Sequence, residues 1–378
     1  MNRCLSVMVV MALLLPLPGE AAGNAVLQPE GDKYMYPFID DSSVSSRRGV
    51  AGVFGAYGAI DSIPGWSFDD RDGQYFLDFS TADLAPPGRG AHNYKILSFV
   101  LTIVVANEQV FAYDSTPDAL ATYGAGALDL DPGRPIELYG VGYRGGWTRE
   151  TFTEEAPFQT ISFGPQNLTG VRNAFALGFA ADGSTRDVSN NVEEGFEPNP
   201  WAVADSPGFI DMAGNYVAGG ISEGSLVPEG RVFRFRVEPT DANIAAYLQD
   251  GLNAGRLHLM VSSLFGTSQE STDIPKFYTK DFSDPGISYY LGPRLEAEVV
   301  LLPSTTVSRH GSAYRLSFDT VIGQSYQVEY WDGLTSGKWL PLGSPRTGNG
   351  ETLTHDDAPP AGVSSRFYRV AVSQESQS

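Results

Sequence analysis

Between Arg231 and Glu238 the chain alternates with a period of two, Phe233, Phe235 and Val237 falling on one side and Arg234, Arg236 and Glu238 on the other. This is the period of a half-buried β-strand, and it recurs. Leu295 to Leu302 sets Glu296 and Glu298 against Ala297 and Val299 before turning fully apolar. Segments 34–38, 75–79, 96–105, 110–113, 136–141, 174–180 and 257–264 read as further strands. Segment 96–105 is apolar on both faces and β-branched at its end, which places it mid-sheet.

Helical periodicity is scarce. The persuasive case is 241–250, with Thr240 placed to cap it, Ile244, Tyr247 and Leu248 on one face, and Gly251 to stop it. The 42 glycines and 25 prolines mark many turns between short strands. Segments 42–65 and 184–230 are rich in Gly, Pro, Ser and Asn and read as long loops, which either carry function or lie over a sheet as padding. After Pro303 a new set of strands begins: 314–318, 325–330, 339–342, 351–355 and 367–372. The expectation is therefore an all-β chain with a large β-sandwich over 24–302, a small immunoglobulin-like or fibronectin-like sandwich over 303–373, and a disordered tail at 374–378.

Residues 1–23 read as a secretory signal peptide: Arg3, an apolar run from Leu5 to Leu17, then small residues offering cleavage positions. The run falls short of the ~20 apolar residues that span a bilayer. Cys4 is the one cysteine and precedes that run, so no lipid-modified cysteine is expected. A mature chain without thiols has no disulfides, cysteine nucleophiles, iron–sulfur clusters or thiolate zinc sites. The net charge of -20 repels phosphate backbones and anionic lipid, which argues against nucleic-acid and membrane-surface partners, and no later stretch is long and apolar enough for membrane insertion. The plain reading of that acidity is solubility; the sharper one is that some carboxylates hold calcium.

Two familiar motifs occur. Gly140 to Gly145 spells G-x-G-x-x-G after a good strand, but a dinucleotide site needs a helix next, and Gly146, Trp147 and a polar stretch follow. It reads as a glycine-rich turn. Gly220 to Gly224 spells G-x-S-x-G around Ser222, but Pro228 and Gly230 follow where a nucleophile elbow requires a helix. It reads as a serine-containing loop. His92, His258, His310 and His355 show no metal-ligand spacing.

Asp69, Asp70 and Asp72, with Gly73, form the tightest carboxylate cluster. Calcium needs six to eight oxygens, and this loop could share it with Asp129 and Asp131. The plain reading is an acidic turn capping a strand. No pair of acids stands out for glycoside hydrolysis, since two carboxylates about 5 to 10 Å apart can come from any two strands. Trp66, Trp147 and Trp201 lie in loop-like stretches, where a ring either stacks on a sugar face or plugs its loop onto the sheet.

The layout of the first domain resembles a DNRLRE-type secreted β-sandwich module. Asp32 to Tyr36 opens it, Phe76 to Ser80 follows as an "RFDLS"-like strand, and Phe277 to Lys280 with Pro293 to Glu296 closes it. The resemblance implies a jelly-roll fold on exported proteins, some of which bind polysaccharide. Gly323 to Tyr330, then Leu334, Gly337 and Trp339, then Arg366 to Val370, resemble the fibronectin-like module that ends many exported bacterial proteins. That resemblance implies display or spacing.

The expected function is a secreted or cell-surface binding protein, not an enzyme, that recognises polysaccharide or an extracellular matrix component, with calcium as the only cofactor in view. A purely structural or adhesive protein and an extracellular polysaccharide-degrading enzyme are the alternatives.

Overall fold

The computed structural model describes residues 23–36, 48–55, 70–123, 132–157, 172–266, 273–332, 338–361, 363 and 365–374. Among these residues the regular structure is 22 short strands with a single α-helix and two short 3-10 turns, so the protein is all-β. No helix among the described residues is long and apolar enough to cross a membrane. The chain divides into two compact units, Asn24–Ala91 with Ile96–Glu298, and His92–Lys95 with Val299–Ser378.

The larger unit is built on two sheets. One runs in the order Gly23–Leu27, Arg294–Leu301, Tyr94–Val104, Arg231–Arg236, Asp205–Ile210, Tyr216–Ala218. The other runs Gly31–Met35, Gln74–Ser80, Arg256–Ser262, Glu137–Tyr143, Ala174–Phe179, Thr185–Asp187, with Ala202–Val203 also paired to Glu137–Tyr143. Alternation sets which way each faces. Antiparallel register puts Ile103 opposite Phe233 and Leu101 opposite Phe235, and none of the four is more than 1% exposed. In the second sheet Leu77 and Phe79 lie opposite Leu259 and Leu257, equally buried. Each such side chain contributes about 1.5–3 kcal/mol by leaving water, which holds the unit together without cross-links.

Each sheet also has a second face. On the seven-stranded sheet it carries Lys33, Phe76, Asp78, His258, Met260 and Tyr139, placed side by side by register. It too is buried, because the 147–157 segment lies over it: Phe152 packs edge-on against Phe76 at 5.1 Å, and Lys33 Nζ donates to the Ala156 carbonyl. On the six-stranded sheet the second face carries Thr102, Val104, Val232 and Arg234. Val104 and Val232 pack there against a cluster that includes Tyr278 and Leu291, while Thr102 and Arg234 stay half-buried.

The sequence reading needs four corrections. The helix spans Ala242–Ala254. Asp241, not Thr240, is its N-cap, because its carboxylate accepts from the N–H groups of Asn243 and Ile244 at 2.8 and 3.1 Å. Gly251 does not stop it; that position is pressed against Leu257, and the helix ends at Gly255, where φ is 77°.

The 184–230 stretch is no loop, since it contains Thr185–Asp187, Ala202–Val203 and the hairpin Asp205–Ile210/Tyr216–Ala218. Its Pro207 sits at a register shift between Asp205 and Gly208, where proline costs a sheet no ladder bond, and the Asp211 carboxylate closes the turn through Ala213 and Asn215. The loop expected at 42–65 contains the strand Val50–Gly52, paired with Lys276–Tyr278; 42–47 and 56–65 lie outside the described residues. Segment 110–113 forms an isolated bridge, Ala112 to Leu226, in place of a strand, with Gln109 turned to a φ of 52° just before it.

The smaller unit pairs Thr305–His310, Ala313–Asp319 and Thr352–Asp357 in one sheet, and sets Gln324–Trp331 between Leu340–Pro341, Arg346–Thr347 and Phe367–Gln374 in another. Leu316, Phe318, Tyr326, Val328, Tyr368 and Val370 meet in its core. Arg366 closes one end, bonding Asp332 at 2.6 and 2.7 Å and Asp357 at 2.9 Å.

Candidate functional site

The second face of the six-stranded sheet holds a cleft of about 310 Å³. Its floor is apolar, with Val104, Val232 and Ile210; its walls carry Tyr216 and Tyr290; its polar groups are Arg234, Arg294 and Glu296. Two glycines shape it. A Cβ on Gly208 would stand 2.6 Å from the Tyr216 ring, and one on Gly292 would stand 2.5 Å from the Tyr290 hydroxyl. Each ring thus rests on bare backbone that no other residue could supply. Tyr216 is 52% exposed, so its ring is supported on one side and open on the other.

The charges in the cleft are held differently. Arg234 is clamped by Asp205 through two bonds of 3.1 and 2.9 Å, and that carboxylate raises its pKa above the ordinary value. Arg294 donates to the Tyr290 carbonyl at 3.0 Å and lies 5.5 Å from the same ring. Glu296, two residues on along the same strand, is exposed. The arrangement offers an aromatic face, guanidinium donors and a carboxylate acceptor over an apolar floor, the composition of a small-molecule site.

The residues expected from sequence lie elsewhere. Asp69, Asp129, Asp131 and Trp66 fall outside the described residues. Asp70 Oδ2 accepts from the N–H groups of Val192 and Glu193 at 2.7 and 2.8 Å, pinning that loop to the sheet; burial pushes the Asp70 carboxyl up. The Asp72 carbonyl accepts from Arg172 at 2.8 Å, and its side chain is fully buried. Between them Arg71 points inward to an ion pair with Glu137, its Nε bonding Asn191 at 3.0 Å, all without contact with solvent.

Gly140 and Gly142 clear room for aromatic rings: a Cβ on Gly140 would lie 2.6 Å from Trp201, and one on Gly142 would strike Phe175. No helix directly follows them among the described residues. Trp201 is 6% exposed, stacked on Phe179 at 6.0 Å and edge-on to Tyr247 at 4.9 Å, while Trp147 packs edge-on to Phe152 at 5.8 Å. Both indoles hold loops down. Ser222 lies in an exposed turn with no helix after it.

His258 is the one histidine with a relay-like setting: its Nδ1 meets the Tyr143 hydroxyl, its Nε2 lies 3.1 Å from Asp78, and Arg256 bonds Asp78 through Nε at 2.7 Å. The ring is fully buried, and burial lowers its pKa, leaving it neutral. This order of groups resembles a nucleophile, base and orienter, but the imidazole is sealed.

One grouping had no sequence signal. Asp32, Glu154 and Asp281, far apart in the chain, bring carboxylate oxygens within 4.8 Å of one another. Lys280 bridges two of them, at 2.9 Å to Glu154 and 3.1 Å to Asp281. Asp32 is 1% exposed and accepts from the Tyr75 hydroxyl and the Lys280 N–H at 2.7 Å each. Burial pushes its pKa up to about 6 against those bonds.

The cleft tyrosines were also missed. The available signal was the spacing of Gly208 to Tyr216 across a tight Asp211–Asn215 turn, which lays a ring over a glycine once the hairpin is recognised. No family model matches the chain, and no curated protein matches it.

Proposed function

We propose that this protein is a secreted or surface-displayed, non-catalytic binding protein that recognises polysaccharide through the cleft on its six-stranded sheet. The observation that carries the reading is the pair of tyrosines seated on Gly208 and Gly292 beside Arg294 and Glu296. The C–H groups on one side of a sugar ring match the negative face of an aromatic ring, and hydroxyls need donors and acceptors together. Both are present over an apolar floor. The apolar run at Leu5 to Leu17 supports export, and the resemblance to exported β-sandwich modules agrees with it.

The test is affinity electrophoresis of the full chain in gels containing soluble polysaccharides, with a pull-down on insoluble ones. At least one polysaccharide should retard the wild type, and Tyr216→Ala should remove most of the retardation. Retention by no polysaccharide would turn the reading to a structural or adhesive protein.

A second reading, polysaccharide hydrolysis, is favoured by the approach of Asp32, Glu154 and Asp281 to the separation used by paired acids. Release of reducing ends, abolished by Glu154→Gln, would support it. Against it, Asp32 is sealed from solvent and Lys280 ion-pairs with the other two.

A further inference from the structure

We infer that the cleft selects an acidic saccharide, a chain bearing uronic acid residues, and that Arg294 receives the uronate carboxylate. The inference rests on the polysaccharide reading above and narrows it to one substrate class. Two guanidinium groups line the cleft, and they are not equivalent. Arg234 is matched by Asp205 in a two-pronged pair, so its charge is already answered and its donors are engaged. Among the described residues Arg294 makes one hydrogen bond, from Nη2 to the neutral carbonyl of Tyr290, and pairs with no carboxylate. A carbonyl takes one donor and cancels no charge. The guanidinium therefore keeps donors and a positive charge unanswered by any described carboxylate at a half-buried wall.

Three further features favour a carboxylate on a sugar over other anions. The planar fork of an arginine matches a carboxylate through two parallel bonds, and the Tyr290 ring beside it holds the guanidinium at 5.5 Å, limiting the entropy lost on binding. Glu296 exposes an acceptor on the same strand face roughly 7 Å farther along, two strand residues away, where hydroxyls of a neighbouring ring would donate to it. A densely sulfated glycan, with several charges on each ring, would press a further anion against Glu296. One carboxylate per ring, with hydroxyls around it, satisfies both groups.

The experiment compares the full chain on polygalacturonate and on alginate with the carboxyl-reduced, neutral form of each, by affinity electrophoresis and titration calorimetry. At least one polyuronate should bind tenfold or more tightly than its reduced form. Arg294→Gln should bring the two to parity with an unchanged melting temperature, and Arg294→Lys should restore part of the preference. Raising the salt should shrink the preference while leaving binding to the reduced form in place. Equal binding of acidic and reduced chains, or a preference that survives Arg294→Gln, would overturn the inference. If the reduced chains still bind and Tyr216→Ala abolishes that binding, the polysaccharide reading stands without it; if no chain of either kind binds, both fall.

Discussion

The larger unit has two sheet faces that turn away from its shared apolar core, and they treat polar side chains in opposite ways. On the seven-stranded sheet, Arg71, Glu137, Asp78, His258 and Tyr143 carry most of the chemistry one would look for, yet loops cover them and each finds a protein partner. On the six-stranded sheet the groups are more ordinary, two tyrosines, two arginines and a glutamate, but they stand around an open cleft on glycines that make room for them. Reactive residue types mark the sealed face, and accessibility marks the face proposed to bind.

That contrast breaks first at the sealed face. Glu137→Gln strips the partner from a fully buried guanidinium and should cost roughly 3–5 kcal/mol in chemical denaturation, while the protein that remains folded keeps its affinity for polysaccharide. If binding falls in proportion to the loss of stability, the two faces are coupled and the contrast fails.

A second test uses pH. The raised pKa of Asp32 means the folded state holds this proton more tightly than the unfolded one. Its contribution is thus complete below the ordinary value of 3.8 and is lost as pH rises through about 6. His258 has the opposite sign: its lowered pKa makes a contribution present above 6.5 that is lost as pH falls through the folded value. Asp32→Asn should gain on the wild type by about 3 kcal/mol between pH 4 and pH 7. A gap between the two that stays constant with pH would show that Asp32 does not carry the shift.

At the open face the effects on stability shrink and those on binding grow. Gly208→Ala drives a methyl into the Tyr216 ring and should lower affinity roughly tenfold for about 1–3 kcal/mol of stability. Smallest of all, Tyr216→Ala should leave stability within about 0.5 kcal/mol, as expected for an exposed side chain, yet reduce binding most. An affinity untouched by either substitution would mean the ring is no platform.

Most of the fold was legible because alternation states which side of a strand meets the core: 75–79, 96–105, 136–141, 174–180 and 257–264 each contain or overlap an observed strand. The hairpin at Asp205–Ala218 was not, because Pro207, Gly208 and Gly214 mark loops by composition while here they serve a bulge, a ring seat and a turn. Local residue types cannot distinguish a glycine that frees the chain from one that admits a neighbour. The site was less legible still. Tryptophans drew attention because they are large, but Trp147 and Trp201 use that size to hold loops in place, and the exposed ring is a tyrosine whose seat lies eight residues away. Asp32, Glu154 and Asp281 meet only because two turn segments distant in the chain close over the strand Gly31–Met35, which no spacing encodes.

The most direct test of the central claim is oxidative footprinting of the whole chain with and without a saturating polysaccharide. Tyr216 and Tyr290 should become protected while Trp147 and Tyr143 keep their reactivity. Protection at Trp147 with Tyr216 unchanged would place the ligand on the other sheet and contradict the account.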